Sequence, residues 1–190
     1  MSDPIEGMIR SLLEELGEDP GRDGLKKTPS RVSAAMRLFT DGYNQNQVGI
    51  LNNALFEVDY DEMVLVRDID FYSLCEHHMV PFFGRVHVGY IPDGRVVGLS
   101  KIPRLVEMFA RRLQVQERLT TQIASALQEV LCPKGVGVVV EAKHLCMMMR
   151  GIQKQNSYAI TSSLRGVFET DSKTRSEFMG LLRQSRDAFA

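Results

Sequence analysis

The sequence lacks the features that mark several large classes of protein. Only three of its 190 residues are cysteines, at the irregularly spaced positions 75, 132 and 146. An odd number at such spacing does not suit a disulfide scaffold and favours a reducing compartment with thiolate chemistry. The formal net charge is -1, which argues against a general nucleic-acid or membrane-surface binder because those proteins usually carry a basic excess. Any anion-binding site must therefore be local.

Long apolar runs and a targeting segment are missing as well. No run approaches the roughly 18 to 20 apolar residues that span a bilayer. Acidic side chains interrupt the apolar positions of the N-terminus, which a signal or transit peptide would not carry. We therefore expect a cytoplasmic protein with neither a membrane nor a nucleic acid among its partners. What is present is 44% hydrophobic residues, in a chain long enough for one cored domain and a small helical appendage.

The first 60 residues are predicted to form this helical appendage. Apolar residues recur at helical spacing over residues 5–16, and Asp3 followed by Pro4 is typical of a helix start. A second amphipathic helix is predicted from residue 28 to about residue 42. Residues 43–60 have weak periodicity and are predicted to be an irregular connection.

Residues 61–190 have the pattern of an α+β core. Alternating runs rich in Val, Ile, Phe and Tyr predict four main strands, at residues 63–74, 83–91, 136–144 and 157–168, and a short extended segment at residues 96–99. Helical periodicity predicts two helices between the second and third main strands and a C-terminal helix over residues 171–190. The core order is β-β-α-α-β-β, which predicts an antiparallel sheet with helices on one side.

Such a sheet has two edge strands and one uncovered face, which an isolated chain must protect. Assembly would protect them. We therefore expect a homo-oligomer in which sheets join edge to edge into a closed barrel.

Two clusters of metal-binding residue types dominate the chemistry. Cys75 and His78 lie in the tight connection between two predicted strands, and a pair of ligands separated by two residues is common in zinc sites. His144 and Cys146 are predicted to lie on one face of an extended strand, so that one ligates a metal while the other stands beside it. Cys75, His78 and Cys146 make three ligands, the number typical of a catalytic zinc with an open fourth position. Two thiolates favour zinc over magnesium or manganese.

Each of these residues taken alone has a simpler interpretation. A single cysteine in a strand is most often a small buried hydrophobic residue, and Cys132, with no histidine near it in sequence, keeps that interpretation. The concentration of thiols and imidazoles in two short segments is what favours the metal site.

Four motifs in this order resemble those of the GTP cyclohydrolase I family. They are residues 75–78 (Cys-Glu-His-His), 98–102 (Gly-Leu-Ser-Lys-Ile), 114–120 (Gln-Val-Gln-Glu-Arg-Leu-Thr) and 144–151 (His-Leu-Cys-Met-Met-Met-Arg-Gly). The resemblance extends from about Gly17 to the C-terminus. It implies a zinc enzyme of the tunnelling fold, a decamer of two pentameric rings with active sites at subunit interfaces. Its reaction converts GTP and water to 7,8-dihydroneopterin triphosphate and formate, the first step of folate or tetrahydrobiopterin synthesis.

The resemblance also assigns roles to individual residues. His144 is the acid-base group at the purine, which suits an imidazole because its pKa lies near the working pH, and His77 is the second proton carrier. Glu117 and Gln116 bind the substrate, where the acceptor-only carboxylate of Glu117 suits the N1 and N2 donors of guanine. The triphosphate would be bound by Ser100, Lys101, Arg104, Arg150 and Arg31.

Simpler interpretations of these residues remain open beside the resemblance. Without it, Glu117 is an ordinary solvated glutamate at a helix start and each basic residue is a surface charge. One position departs from the family pattern, because Ala34 stands where some members carry a basic residue three positions after the equivalent of Arg31. The phosphate role of that helix is correspondingly weaker.

Two rival functions are retained. One is a related tunnelling-fold enzyme acting on another purine or pterin, against which the combination of Cys-Glu-His-His with His-Leu-Cys argues. The other is a structural zinc module in an oligomeric binding scaffold, which predicts four protein ligands; His87 is the spare histidine for that role.

Overall fold

The computed structural model describes residues 3–51 and 54–184 and divides the chain into two compact units, Met1–Asp41 and Gly42–Ala190. The first unit ends before residue 60, where the sequence predicted the end of the appendage. Residues 42–60 belong to the second unit. No helix in the described ranges is long and apolar enough to cross a membrane.

The first unit consists of two helices, α1 (Pro4–Glu15) and α2 (Thr28–Phe39). The Asp3 carboxylate caps α1 by accepting a hydrogen bond from the backbone N–H of Ile5 at 3.1 Å. The same carboxylate accepts hydrogen bonds from Ser33 and Arg37 of α2. One acidic side chain therefore both starts the first helix and joins it to the second.

The second unit contains the remaining helices and all the strands. Its strands are β1 (Leu55–Glu57), β2 (Val64–Cys75), β3 (Pro81–Ile91), β4 (Arg95–Val97), β5 (Leu113–Gln114), β6 (Gly135–His144) and β7 (Ala159–Gly166). Its α-helices are α3 (Gln47–Leu51), α4 (Lys101–Ala110), α5 (Gln116–Leu131), α6 (Leu145–Met148), α7 (Val167–Thr170) and α8 (Ser172–Arg183), and a 3-10 turn covers Asp41–Asn44. The predicted β-β-α-α-β-β core and its mixed α+β class are confirmed.

The main sheet has five strands in the order β5-β2-β3-β6-β7, and its longer strands are antiparallel. The two-residue β5 runs parallel to the end of β2, pairing Leu74 with Leu113 and Cys75 with Gln114. The sequence did not predict β5. The segment at residues 95–97 pairs with β1 in a separate two-stranded sheet, so the prediction of an irregular connection at residues 43–60 is wrong in part.

Helices α4 and α5 cover one face of the sheet and enclose the main core. The largest side chains buried there include Phe82, Tyr90, Ile102, Leu105, Met108, Leu119, Ile123 and Leu127. The side chains of β2, β3 and β6 alternate between this core and the opposite face, as a pleated strand requires.

The prediction that helices lie on one side only is wrong. Phe168 of α7 and Phe178 of α8 pack with Val139 on the opposite face, and both rings are fully buried. They fit because Gly89 and Gly137 leave space: a Cβ at Gly137 would lie 2.7 Å from the Phe168 ring. The predicted continuation of this C-terminal helix through residues 185–190 lies outside the described residues.

Candidate functional site

The first cluster lies on the turn between β2 and β3. The carbonyl of Cys75 accepts hydrogen bonds from the backbone N–H groups of His78 at 3.3 Å and Met79 at 2.8 Å, and the Cys75 N–H donates to the carbonyl of Val80 at 3.0 Å. Met79 adopts the left-handed conformation, with φ of 53°, which reverses the chain. This tight turn brings Cys75 Sγ to 4.0 Å from His78 Nδ1.

The second cluster lies where β6 leaves the sheet. The β6–β7 ladder ends at the pair Ala142–Ala159, and the β3–β6 ladder ends at Phe82–His144. Beyond His144, β6 has no further strand to pair with among the described residues. Its backbone instead forms hydrogen bonds within the single turn of α6. The prediction that His144 and Cys146 share an extended strand is therefore wrong, because Cys146 lies on this helical turn.

The two clusters nevertheless meet in space as predicted. The Sγ atoms of Cys75 and Cys146 and a ring nitrogen of His78 all lie within 4.8 Å of one another. Two sulfurs bound to one tetrahedral zinc lie about 3.8 Å apart, given Zn–S bonds of about 2.3 Å. A small adjustment of side-chain rotamers would let all three donors bind one ion.

The chemistry of the donors also fits a cation. Burial raises the pKa of the Cys146 thiol, and the neighbouring Cys75 raises it further. Two adjacent thiolates are unfavourable by themselves, whereas a divalent cation removes the repulsion and favours their deprotonation. The Cys-His-Cys group can therefore hold a metal ion, and its three donors match the number typical of a zinc site with one open position.

His144 is oriented from two directions beside this cluster. Its ring stacks on that of Phe82, with centroids 4.7 Å apart and planes 3° from parallel. Its Nε2 lies 2.7 Å from Oε1 of Gln116. Burial lowers the pKa of His144, while the nearby Glu117 carboxylate acts in the opposite direction.

Gln116 is buried, and its amide has partners within the protein. Nε2 lies within 3.2 Å of three acceptors, the carbonyls of Val140 and Ala159 and the hydroxyl of Thr161. Because these partners identify Nε2 as the donor, Oε1 must accept, and the proton between the two side chains belongs to His144 Nε2. Sequence reasoning missed this contact, since Gln116 and His144 are 28 residues apart.

His77 and Glu117 lie at the border of this site. His77 is exposed, with Nδ1 3.8 Å from Cys75 Sγ. Glu117 is exposed in the first turn of α5, directly after Gln116. The structure thus places both beside residues of the two clusters.

The predicted phosphate-binding residues are more dispersed. Ser100, Lys101 and Arg104 lie at the start of α4, and the end of that helix leads into β5 beside Cys75. A ten-residue helix is about 15 Å long, so the first residues of α4 lie about that far from the end of the helix that leads into β5. Among the described residues they make no hydrogen bond or ion pair with the metal-binding group. Arg150 is exposed just after α6, and Arg31 is exposed on α2 in the first unit.

Comparison with known proteins gives a consistent result. A profile of the GTP cyclohydrolase I family matches residues 5–183. The chain is 61% identical over 180 residues to a protein of Gloeobacter violaceus named GTP cyclohydrolase 1, covering 95% of this chain and 84% of that one. A Campylobacter jejuni protein of the same name is 60% identical over 186 residues, covering 98% of each chain. A solved structure of archaeosine synthase QueF-Like covers 57% of this chain at 18% identity, but its TM-score of 0.48 is too low to support an argument.

Proposed function

This chain belongs to the GTP cyclohydrolase I family of enzymes, and from that membership we propose that it converts GTP and water to 7,8-dihydroneopterin triphosphate and formate. The observation that carries the proposal is the Cys75–His78–Cys146 group with an oriented imidazole, His144, beside it. A nucleophile source and a proton carrier next to each other are what opening a purine at C8 requires.

The metal-binding group would hold zinc through Cys75, His78 and Cys146. A zinc ion held there would supply a nucleophile from water at neutral pH, because zinc lowers the pKa of a bound water to about 7. Two donors lie at the turn after β2 and the third lies at the start of α6. The fold thus brings together Cys75 and Cys146, which are 71 residues apart in the sequence.

His144 would move the proton at the purine N7. Its Nε2–H is committed to Gln116, so the neutral ring presents Nδ1 as the basic atom. Burial lowers the pKa of His144, which favours the neutral ring, so Nδ1 would first accept the proton of the water that attacks C8 and then donate it to N7. Gln116 would therefore serve the substrate through His144, whose ring it orients. The exposed His77 would be the second proton carrier.

Glu117 and the basic residues would recognise the two ends of GTP. The Glu117 carboxylate, in the first turn of α5, would accept hydrogen bonds from guanine N1 and N2. Ser100, Lys101, Arg104, Arg150 and Arg31 would bind the triphosphate, with arginine supplying paired donors and lysine a point charge. Ser100 and Lys101 lie at the opposite end of α4 from the β5 segment that pairs with Cys75, so we infer that they are donors to a site that neighbouring subunits complete. Arg150 differs, because its charge acts to lower the pKa of the Cys146 thiol in the same subunit.

The sheet supports assembly into a ring of the tunnelling-fold type. The successive antiparallel pairings β2–β3, β3–β6 and β6–β7 make β7 run opposite to β2. In a ring of identically oriented copies, β7 of one copy would therefore add antiparallel to the part of β2 that β5 leaves unpaired in the next copy. A closed ring removes both exposed edges, and two such pentameric rings would form the decamer.

Light scattering of the purified protein should therefore give the mass of a decamer at micromolar concentration. Pairing of the β2 and β7 edges would close each pentameric ring, and contact between two rings would complete the decamer. A monomer under these conditions would count heavily against the assembly and against shared active sites. An isolated subunit should also be inactive even with zinc bound.

The activity itself is tested by measuring zinc content and GTP-dependent formate release on one purified sample. We expect stoichiometric zinc and one formate for each dihydroneopterin triphosphate. A related enzyme acting on another purine or pterin would release no formate from GTP. A structural zinc module would hold its metal against chelators and show no turnover.

A further inference from the structure

We propose that Glu76 and Arg118 form a positioning pair that keeps the metal-binding turn in register with the start of α5. The inference rests on the proposed function, because the groups held in register are the metal donors and His77 on one side and Glu117 on the other. Glu76 lies between Cys75 and His77, and Arg118 directly follows Glu117.

The two side chains meet through a paired, charged contact. Arg118 Nη1 lies 2.5 Å from Glu76 Oε2, and Nη2 lies 2.9 Å from Oε1. Such two-point pairing fixes the relative orientation of the guanidinium and carboxylate planes as well as their distance.

The pair is the outermost of several links between the same two segments. Inside it, Cys75 pairs with Gln114 in the β2–β5 ladder, and the Glu76 N–H donates to the Gln114 carbonyl at 3.0 Å. The buried Gln114 side chain donates to the Phe109 carbonyl at 3.0 Å and accepts from the Val115 N–H at 3.2 Å. These inner bonds hold the backbone, and the Glu76–Arg118 pair holds the tip of the turn against the first turn of α5.

Because the pair is partly exposed and contains no metal ligand, its removal should affect neither folding nor metal binding. About a third of the Glu76 side chain and nearly half of the Arg118 side chain are exposed, and exposed ion pairs contribute little to stability. Removing the pair deletes no metal donor and no group that would bind the substrate. What it loosens is the distance between Glu117, which would bind the guanine edge, and the metal-binding turn, which would hold the metal that acts at C8. Guanine is a rigid ring, so this distance sets the geometry of attack.

The test compares Glu76→Ala, Arg118→Ala, the double variant and the exchanged pair Glu76→Arg/Arg118→Glu. Each single variant should lose about ten- to hundredfold in kcat, because a misplacement near 1 Å can cost about a hundredfold. Zinc content and melting temperature should match those of the wild type. GTP affinity, measured by calorimetry in the slowly reacting His144→Ala background, should match that of the His144→Ala protein without the further change. The double variant should be no worse than either single one, and the exchanged pair should recover part of kcat.

Asp61→Ala is the matched control, because it removes another exposed ion pair, Lys134–Asp61 at 2.6 Å. Lys134 precedes β6, whose opposite end carries His144, so kcat should stay at the wild-type value. Loss of zinc or a large fall in melting temperature in the Glu76 and Arg118 variants would overturn the inference in favour of a structural role. Weaker GTP binding with unchanged kcat would mean that Arg118 contacts the substrate.

The inference that the two side chains act as a pair would also be overturned if the effects of the two single changes were additive, or if neither change had an effect. These results are distinct from failure of the proposed function, which the wild type reports. If the wild-type protein releases no formate, both the proposed function and the positioning role of the pair are refuted. If the wild type is active and the variants are equally active, only the positioning role is refuted.

Discussion

Cys146→Ala protein is expected to retain less than about a tenth of the wild-type zinc and to have no measurable turnover. The change removes one of three donors that lie within 4.8 Å of one another, and Cys75 with His78 alone forms an incomplete site. Removing a donor from a metal site lowers affinity far more than the ten- to hundredfold typical of changes in residues that only support the ligands. Zinc content by elemental analysis, together with formate release from GTP, measures both effects.

Cys132→Ala is the matched control for that experiment. Cys132 is exposed at the end of α5 and not buried as the sequence predicted, because it lies at the helix C-cap in the left-handed conformation with φ of 52°. It is not part of the metal-binding group. This variant should keep full zinc and full activity. Full zinc content in the Cys146 variant would instead refute its assignment as a ligand.

His144→Ala protein is expected to keep its zinc and lose turnover by about a hundred- to ten-thousandfold, the range associated with removal of a general acid-base group. The imidazole lies beside the metal-binding group but is bound to Gln116 and stacked on Phe82. Its loss therefore removes the proton carrier and leaves the three donors unchanged. Single-turnover formate release and zinc content on the same sample check the separation.

His144→Asn distinguishes proton transfer from packing. An asparagine amide can still donate a hydrogen bond towards Gln116 but cannot exchange a proton near pH 7. We expect it to be as inactive as the alanine variant, with a melting temperature closer to that of the wild type. Substantial activity in His144→Asn would show that the ring serves only to fill space, and zinc loss in either variant would make His144 a ligand.

The strands that border the site were predictable, because the alternation of their side chains is a local property of the sequence. Alternation along residues 63–74 and 83–91 predicted β2 and β3, with the turn containing Cys75 and His78 between them. The proximity of Cys146 to that turn was inferred from the concentration of thiols and imidazoles in two short segments, which together offer the three ligands of a catalytic zinc site. The wrong expectation of an extended strand at Cys146 arose because a strand ends where its ladder partners end, and partners belong to the tertiary fold.

The sequence by itself determined the α+β class, the order of the core elements and the metal-binding residue types, because side-chain periodicity and donor chemistry are properties of short segments. Only the tertiary structure decided the partners of individual groups. It set Gln116 against His144, Arg118 against Glu76, and Phe168 with Phe178 over the second face of the sheet. The two residues of the first pair are 28 positions apart in the sequence, and those of the second are 42 positions apart. They depend on strand register and on where each helix begins, which local patterns do not specify to within one residue.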